Sequence, residues 1–225
     1  MNQRKIEAAI ARIRATLPEG VLLVAAAKGR TVAEVETAMR AGVTVFGHNF
    51  VQEAEPMIAA LGDRARWHLI GHLQKNKVKK AVGLFDMIET VDSWALAEQI
   101  DRRCRAIGKV MPVLVEVNSG REAKKSGVFP EETEDLIRQM ADLPHLSVQG
   151  LMTMGPPFGD PQEARTCFRE TKAIFDRIAG AGIPNVQMRT LSMGMSNSYE
   201  VAIEEGANLV RIGTKLFGPR ASGKV

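Results

Sequence analysis

The stretch VLLVAAAKGR at residues 21–30 is the feature that most limits how this chain can fold. Its apolar run is too short for a core helix and too continuous for a surface loop, and it stops abruptly at Lys28, Gly29 and Arg30. That is the pattern of a buried parallel strand delivering a lysine to its C-terminal end. Side chains alternate along a strand, so Leu22, Val24, Ala26 and Lys28 share one face and Leu23, Ala25 and Ala27 the other. An ammonium loses its hydration in a core unless it is paired, neutralised or used. Lys28 therefore either belongs to a site or opens the next loop and snorkels to water.

The remainder of the chain repeats the same unit. Before the strand, Ile6, Ile10, Ile13 and Leu17 fall at helical spacing over residues 4–17, and Pro18-Glu19-Gly20 stops that helix. After Lys28, Thr31 with Glu34 three residues on predicts a capping box opening a helix that runs to 41–42, followed by a strand at 43–47. Helix 50–61, strand 67–70, helix 76–82, strand 87–91 and helix 93–107, closed by Gly108, come next. Then follow strand 113–117, the loop NSGREAKKSG, helix 130–141, strand 147–152, a loop with Pro156-Pro157 and helix 161–181. The chain finishes with a short strand at 190–192, helix 197–205, strand 209–212 and a closing turn or helix around 215–217. Eight strands alternate with helical or glycine-rich segments without an intervening Pro, Ser and Gly-rich linker. This is the grammar of an α/β fold, a single (β/α)8 TIM barrel domain over residues 1–225 with an extra N-terminal helix. A doubly wound open sheet uses the same alternation and is the alternative. A barrel collects function where its strands end: at Lys28, His48-Asn49, His72, Asn118, Met152-Thr153, residues 192–196 and residues 211–214.

Composition narrows the function classes. The 225 residues, 45% of them hydrophobic, suffice for one sizeable core. The net charge of +4 is scattered among interleaved acids and aromatics are only 5%, which argues against nucleic-acid binding. Cys104 and Cys167 show neither a CxxC nor a paired spacing, so the expected compartment is reducing, without a disulfide framework or a zinc site. An N-terminus without an apolar signal core, and the lack of any run near the roughly 20 apolar residues that span a bilayer, predict a cytoplasmic protein without membrane association.

Two strand ends look built for an anion. LSMGMSNS sets Gly194 between Ser192 and Ser196 just before a helix, whose first-turn N–H groups and dipole favour phosphate. RIGT follows the last strand, where Gly213 would let backbone approach a ligand and Thr214 adds a hydroxyl and an N–H. In barrels the loops after strands seven and eight frequently form the phosphate site. A strand-end lysine with such a cradle suggests pyridoxal 5'-phosphate, its aldehyde in a Schiff base with Lys28 and its phosphate anchoring the far end. Arg211 shares a face with Leu209 and Gly213 and can point to the barrel mouth, where it would disfavour protonation of the pyridine nitrogen and weaken the ring as an electron sink. The plainer role for Arg211 is an ion pair with a buried carboxylate such as Glu116. His68 and His72 share a strand face without a third metal-type ligand nearby in sequence, so they are expected to be satisfied polar residues, and His145 to be exposed. Met152, Met154, Met193 and Met195 are expected to provide flexible packing at the barrel top.

In order, AAAKGRT, FGHNFVQE, WHLIGHLQKNK, VDSWALA, VEVNSGREAKKSG, GLMTM, LSMGMSNSYEVAIEEG and LVRIGTKLFGPR resemble, across nearly the whole chain, the pyridoxal phosphate homeostasis proteins. That family resembles the N-terminal barrel of alanine racemases. The resemblance implies pyridoxal phosphate on Lys28, with its phosphate held by Ser192, Ser196, Gly213 and Thr214, Arg211 by the pyridine nitrogen, and Asn49 and Met195 near the cofactor. It implies a cofactor-binding role in vitamin B6 and amino-acid homeostasis, without an established catalytic activity; apo-enzymes that use pyridoxal phosphate are the expected partners and a monomer or weak dimer the expected assembly, with delivery, sensing and storage of the cofactor all open. Four residues depart from the family pattern: His48 and Phe50 replace the Glu and Tyr of FGENYVQE, and Asn197 and Ser198 replace the acids after SMGMS. An amino-acid racemase and a lysine-dependent aldolase are the competing functions. Alanine racemases use, opposite the lysine, a tyrosine from a C-terminal domain of the partner subunit. This sequence stops shortly after Arg220 and has only Tyr199, so a second base is expected to be missing.

Overall fold

A computed structural model describes residues 3–122, 125–156 and 159–219. Ala123 and Lys124 of the loop NSGREAKKSG, Pro157 of the later loop and Arg220 lie outside the described residues.

Eight parallel strands close into a barrel in sequence order: β1 (Leu22–Ala26), β2 (Val45–His48), β3 (Arg66–Leu69), β4 (Met87–Val91), β5 (Met111–Val117), β6 (Leu146–Thr153), β7 (Val186–Ser192) and β8 (Leu209–Ile212). The barrel closes where β8 pairs with β1, with Leu22 beside Leu209 and Val24 beside Arg211. The helices are α1 (Gln3–Thr16), α2 (Val32–Arg40), α3 (Val51–Leu61), α4 (Val78–Leu84), α5 (Trp94–Arg105), α6 (Thr133–Met140), α7 (Arg165–Gly180), α8 (Tyr199–Glu204) and α9 (Thr214–Phe217). This is the (β/α)8 barrel that the alternation of apolar runs and amphipathic segments predicts, and it excludes the open sheet.

The two faces of each strand go to different places. Leu23, Ala25 and Phe46 join the large core between strands and helices, whereas Val24, Val45, Ile70 and Leu209 form a separate apolar cluster inside the barrel, with Ala26 packed on it. The extra helix α1 buries Ile6, Ile10 and Ile13 and packs on α2 and α9. Thr31 and Glu34 form the expected capping box, each side chain bonding the other residue's backbone N–H.

Local differences from the sequence expectation have physical causes. β1 stops at Ala26, and Ala27, Lys28 and Gly29 turn sharply, the Arg30 N–H donating back to the Ala27 carbonyl at 3.0 Å. Lys28 therefore lies on a turn, where strand alternation no longer fixes its direction. β7 starts at Val186, four residues before the short strand expected, because Gln187 and Arg189 alternate outward to solvent and hide the apolar run. Register shifts in the ladders of β5 with β6 and β6 with β7 bracket Gly150, whose φ of 147° and contact with the Thr190 carbonyl leave no room for a Cβ. β-bulges of this kind are invisible to a period-two pattern.

Phe46 is fully buried, its ring 5.7 Å from that of Trp67. Phe46→Ala should cost about 3–5 kcal/mol, seen as a lower urea midpoint at unchanged slope.

Candidate functional site

The ends of β1 and β8 and the segments following β2, β3, β6, β7 and β8 surround a cavity of about 580 Å³ at the C-terminal end of the barrel. That volume lies within the roughly 300–1,000 Å³ of small-molecule sites. Asn49, Met195, Ser196, Arg211, Gly213 and Thr214, six of the expected site residues, line it together with Ala26, Ile70, Met154, Gly159, Asn197 and Lys215.

The anion cradle is built from the last two strand ends. β7 and β8 pair regularly only at Ser192 and Leu209, and the loop beyond β7 continues the ladder: Met193 N–H donates to Leu209 and Arg211 N–H to Gly194, both at 3.1 Å. Gly194 turns the chain at φ 86°, with a hypothetical Cβ only 2.6 Å from Ala202 and 2.8 Å from the Tyr199 backbone, so any side chain would push the loop away from α8. The turn brings Ser196 Oγ into reach of two backbone donors, Gly213 N–H at 3.1 Å and Lys215 N–H at 3.4 Å. Converging amides of this kind form a concavity suited to an oxyanion. The donors come from the start of α9, not from α8, which begins only at Tyr199 and is six residues long. Gly213 lines the cavity and also packs closely on β1, where a Cβ would lie 3.3 Å from Ala26.

Beneath the cavity lies a buried polar chain. Arg211, 3% exposed, donates through Nη1 to Ser192 Oγ and through Nη2 to the Thr153 carbonyl at 2.8 Å, and its guanidinium is 3.9 Å from Glu89. Ser192 in turn donates to Glu89 Oε2 at 2.7 Å, and His68 Nδ1 bonds Glu89 Oε1 at 2.7 Å. Ser192 is thus corrected as a direct cradle residue: it is fully buried, does not line the cavity, and its hydroxyl is held between an arginine and a carboxylate. Burial alone would raise the Glu89 pKa, but bonds from His68 and Ser192 and the charge of Arg211 outweigh it and hold the carboxylate below its ordinary range. Burial draws Arg211 downward, opposed by Glu89 and Glu116. The expected carboxylate partner, Glu116, contributes charge only, while Glu89, which the sequence reading missed, makes the ion pair. Its signal was an acid at an inward position of a buried strand.

Lys28 is half-buried at the mouth, its Nζ 4.7 Å from the centre of the Phe50 ring, and lies outside the cavity lining. The loop carrying it is anchored by Arg30, which donates to the carbonyls of Phe217 at 3.2 Å and Gly218 at 2.6 Å. Of the departures from the family pattern, Phe50 meets the lysine, Asn197 lines the cavity while donating to Gly159 at 3.0 Å, and Ser198 accepts from Met195 N–H at 3.4 Å. His48 lies elsewhere, its ring tilted against that of Trp67 with centres 5.9 Å apart. His72 is largely exposed, 3.6 Å from Asp92, and His145 is half-buried against Asp101, less open than expected. Met154 and Met195 line the cavity, while Met152 and Met193 are fully buried. Among the described residues there is no group of three His, Cys, Asp or Glu side chains able to hold a metal, and no helix long and apolar enough to cross a membrane.

Fold and site define a small-ligand (β/α)8 barrel whose open end offers an anion cradle, a buried arginine and a lysine at its mouth. Residues 1–221 match the family described as alanine racemase, N-terminal domain. The pyridoxal phosphate homeostasis protein of Aquifex aeolicus is 44% identical over 180 residues, covering 80% of this chain and 78% of its own. That of Pasteurella multocida is 36% identical over 226 residues, covering 99% and 96%. The chain belongs to the alanine racemase N-terminal domain family and, within it, to the pyridoxal phosphate homeostasis proteins. Among solved structures, PipY of Synechococcus elongatus with PLP bound superposes with a TM-score of 0.87 at 35% identity, over 95% of this chain and all of that one. An alanine racemase of Clostridium difficile shares the fold at 17% identity and a TM-score of 0.81, matching 97% of this chain but 57% of its own.

Both ring nitrogens of His48 and Oε2 of Glu116 are buried without a hydrogen-bond partner among the described residues. Burial pushes His48 down to about 4, and pushes Glu116 up to about 7, with Asp92 adding to the rise and Arg211 opposing it. Between about pH 4 and 6.5 the unfolded chain binds a proton at His48 that the native protein refuses, so this group makes stability rise with pH. Between about pH 4.5 and 7 the native protein keeps a proton on Glu116 that the unfolded chain releases, so this group makes stability fall with pH. The two oppose each other over about pH 4.5–6.5. Relative to wild type, His48→Gln should lower the slope of unfolding free energy against pH there, and Glu116→Gln should raise it, each by up to about 1.4 kcal/mol per pH unit. Urea titrations at several pH values measure both.

Proposed function

We propose that this protein binds pyridoxal 5'-phosphate in the cavity at the C-terminal end of the barrel, attached through Lys28, and serves vitamin B6 homeostasis without substantial catalytic turnover. The observation that carries the reading is the convergence of the Gly213 and Lys215 amides on Ser196 at one side of a ligand-sized cavity floored by Arg211. The names of the Aquifex and Pasteurella relatives and the PLP-bound structure of PipY support it.

The residues fit the cofactor's chemistry part by part. Ser196, Gly213 and Thr214 offer hydroxyls and amides to a phosphate. Arg211 offers N–H donors and a fixed positive charge, which suits an unprotonated pyridine nitrogen. Asn49 and Met195 supply a polar and an apolar wall. Ser192 acts one step removed, by holding Arg211. When bound, the cofactor supplies an aldehyde reactive toward amines and a ring able to accept electron density. An arginine at that ring limits the second property. Cofactor-requiring apo-enzymes are the proposed partners, the proposed setting is the cytoplasm, and the proposed assembly is a monomer or weak dimer.

The competing racemase reading needs an acid–base group on each face of the substrate carbon. Tyr199 is poorly placed for that task. Its hydroxyl is 3.2 Å from Thr16 of α1, donates to Glu200 at 2.8 Å, and is raised in pKa by burial. The likeness to alanine racemases supports a common fold and carries no activity with it.

Purified protein loaded with pyridoxal phosphate and reduced with borohydride should carry the pyridoxyl group on the peptide containing Lys28. Label on another lysine alone would overturn the attachment. Ser196→Ala with Thr214→Val should weaken cofactor retention in equilibrium dialysis by about a hundredfold or more, for two hydrogen bonds to a charged group at ~1.5 kcal/mol or more each, while leaving the absorbance of the lysine-bound form unchanged.

A further inference from the structure

We propose that Glu116 is a positioning residue whose proton is linked to loading of the cavity: an anionic ligand above Arg211 binds with uptake of a proton at the Glu116 carboxyl. The proposal rests on the reading of the cavity as a pyridoxal phosphate site.

The geometry comes first. Glu116 lies on β5 at a position that alternates inward with Leu114, paired in register with Met152 of β6, and is 2% exposed. Every other polar side chain of the buried chain is satisfied: Glu89 by His68 and Ser192, Arg211 by Ser192 and the Thr153 carbonyl. Glu116 Oε2 has no hydrogen-bond partner among the described residues. Its charged surroundings are Arg211 from β8 and Asp92, just beyond β4; the β4 carboxylate Glu89 faces the same arginine, with His68 of β3 behind it, and β6 brings no titratable side chain. Leaving a buried acceptor unpaired costs on the order of 1–3 kcal/mol, and more if it is charged. Taking up a proton removes the charge and turns the group into a donor. The carboxyl is already held near the midpoint of that change at neutral pH, with Arg211 the one influence that favours the ionised form.

Arg211 faces two competitors for its field, Glu116 within the barrel and whatever lines up in the cavity. An anion there offsets the arginine's pull on Glu116, so the carboxyl holds its proton more tightly when the cavity is loaded. By linkage, ligand affinity must then fall as pH rises past the range where Glu116 ionises in the unloaded protein, approaching tenfold per pH unit at the steepest. Near neutral pH, loading and the charge state of the barrel interior change together.

Pyridoxine 5'-phosphate is the probe, because it has no aldehyde and leaves Lys28 chemistry out of the measurement. Its Kd is measured by titration calorimetry from about pH 6 to about pH 9 for wild type and Glu116→Gln, and proton uptake is obtained by repeating the titration near pH 8 in buffers of different ionisation enthalpy. The expected result is similar affinity at the acidic end, a several-fold stronger loss of affinity for wild type at the alkaline end, and a proton uptake greater for wild type than for Glu116→Gln by a substantial fraction of a proton, the probe's own proton exchange being common to both. Parallel curves, or equal proton uptake by the two proteins, would overturn the proposal while leaving the cofactor reading intact. Should that variant not fold, Glu116→Leu takes its place, and equal proton uptake by it and wild type near pH 8 overturns the proposal in the same way. No binding to wild type at any pH would sink the cofactor reading, and this inference with it.

Discussion

The structure depends on a charge held almost wholly inside the barrel. Arg211 spans the barrel interior and ties β8 to β7 through Ser192, to β6 through the Thr153 carbonyl, and to β4 through Glu89, which His68 joins to β3. Removing one partner of such a group leaves an uncompensated ion, at a cost of roughly 3–5 kcal/mol. Most barrel interiors are filled by stacked layers of apolar side chains. Here the apolar cluster of Val24, Val45, Ile70 and Leu209 is small, and a chain of polar bonds runs through the interior beside it. A floor built this way is stiff and directional, which suits a site that must present one guanidinium at a fixed place.

The same chain explains why the site was only partly legible in the sequence. Strand-end positions could be listed because apolar runs and caps marked where each strand stops, and the capping box at Thr31 and the barrel closure followed from pattern alone. Asn49, Met195, Ser196, Arg211, Gly213 and Thr214 converge because parallel strands all end at one rim. Which of two serines four residues apart faces the cavity cannot be read from spacing. Ser192 is still on β7 and turns into the barrel, whereas Ser196 lies beyond the Gly194 bend and turns outward. Partner choice is likewise a three-dimensional fact: Glu89 and Glu116 occupy inward positions on neighbouring strands, and only the actual register decides which meets Arg211.

The departures at 48 and 50 fall on opposite sides of one strand end and so have unrelated consequences. His48 faces the packing between strands and helices, where its unsatisfied ring is a matter of stability. Phe50 stands at the mouth beneath the Lys28 ammonium, where an aromatic face and a cation attract by up to about 1 kcal/mol at an exposed site. A phenyl ring offers that attraction without a hydroxyl to compete for the amine.

Arg30 joins the loop after β1 to the backbone just past α9, partners 187 and 188 residues apart in sequence. The lysine and the anion cradle therefore stand on the two sides of the seam at which the barrel closes. Contacts of such long range form only after their loop-closure entropy is overcome, so they belong late in folding. During synthesis the first strand leaves the ribosome long before the last. The cavity is thus a property of the finished barrel, and a nascent chain that already carries Lys28 does not yet have the cradle of Ser196, Gly213 and Lys215 to stand beside it.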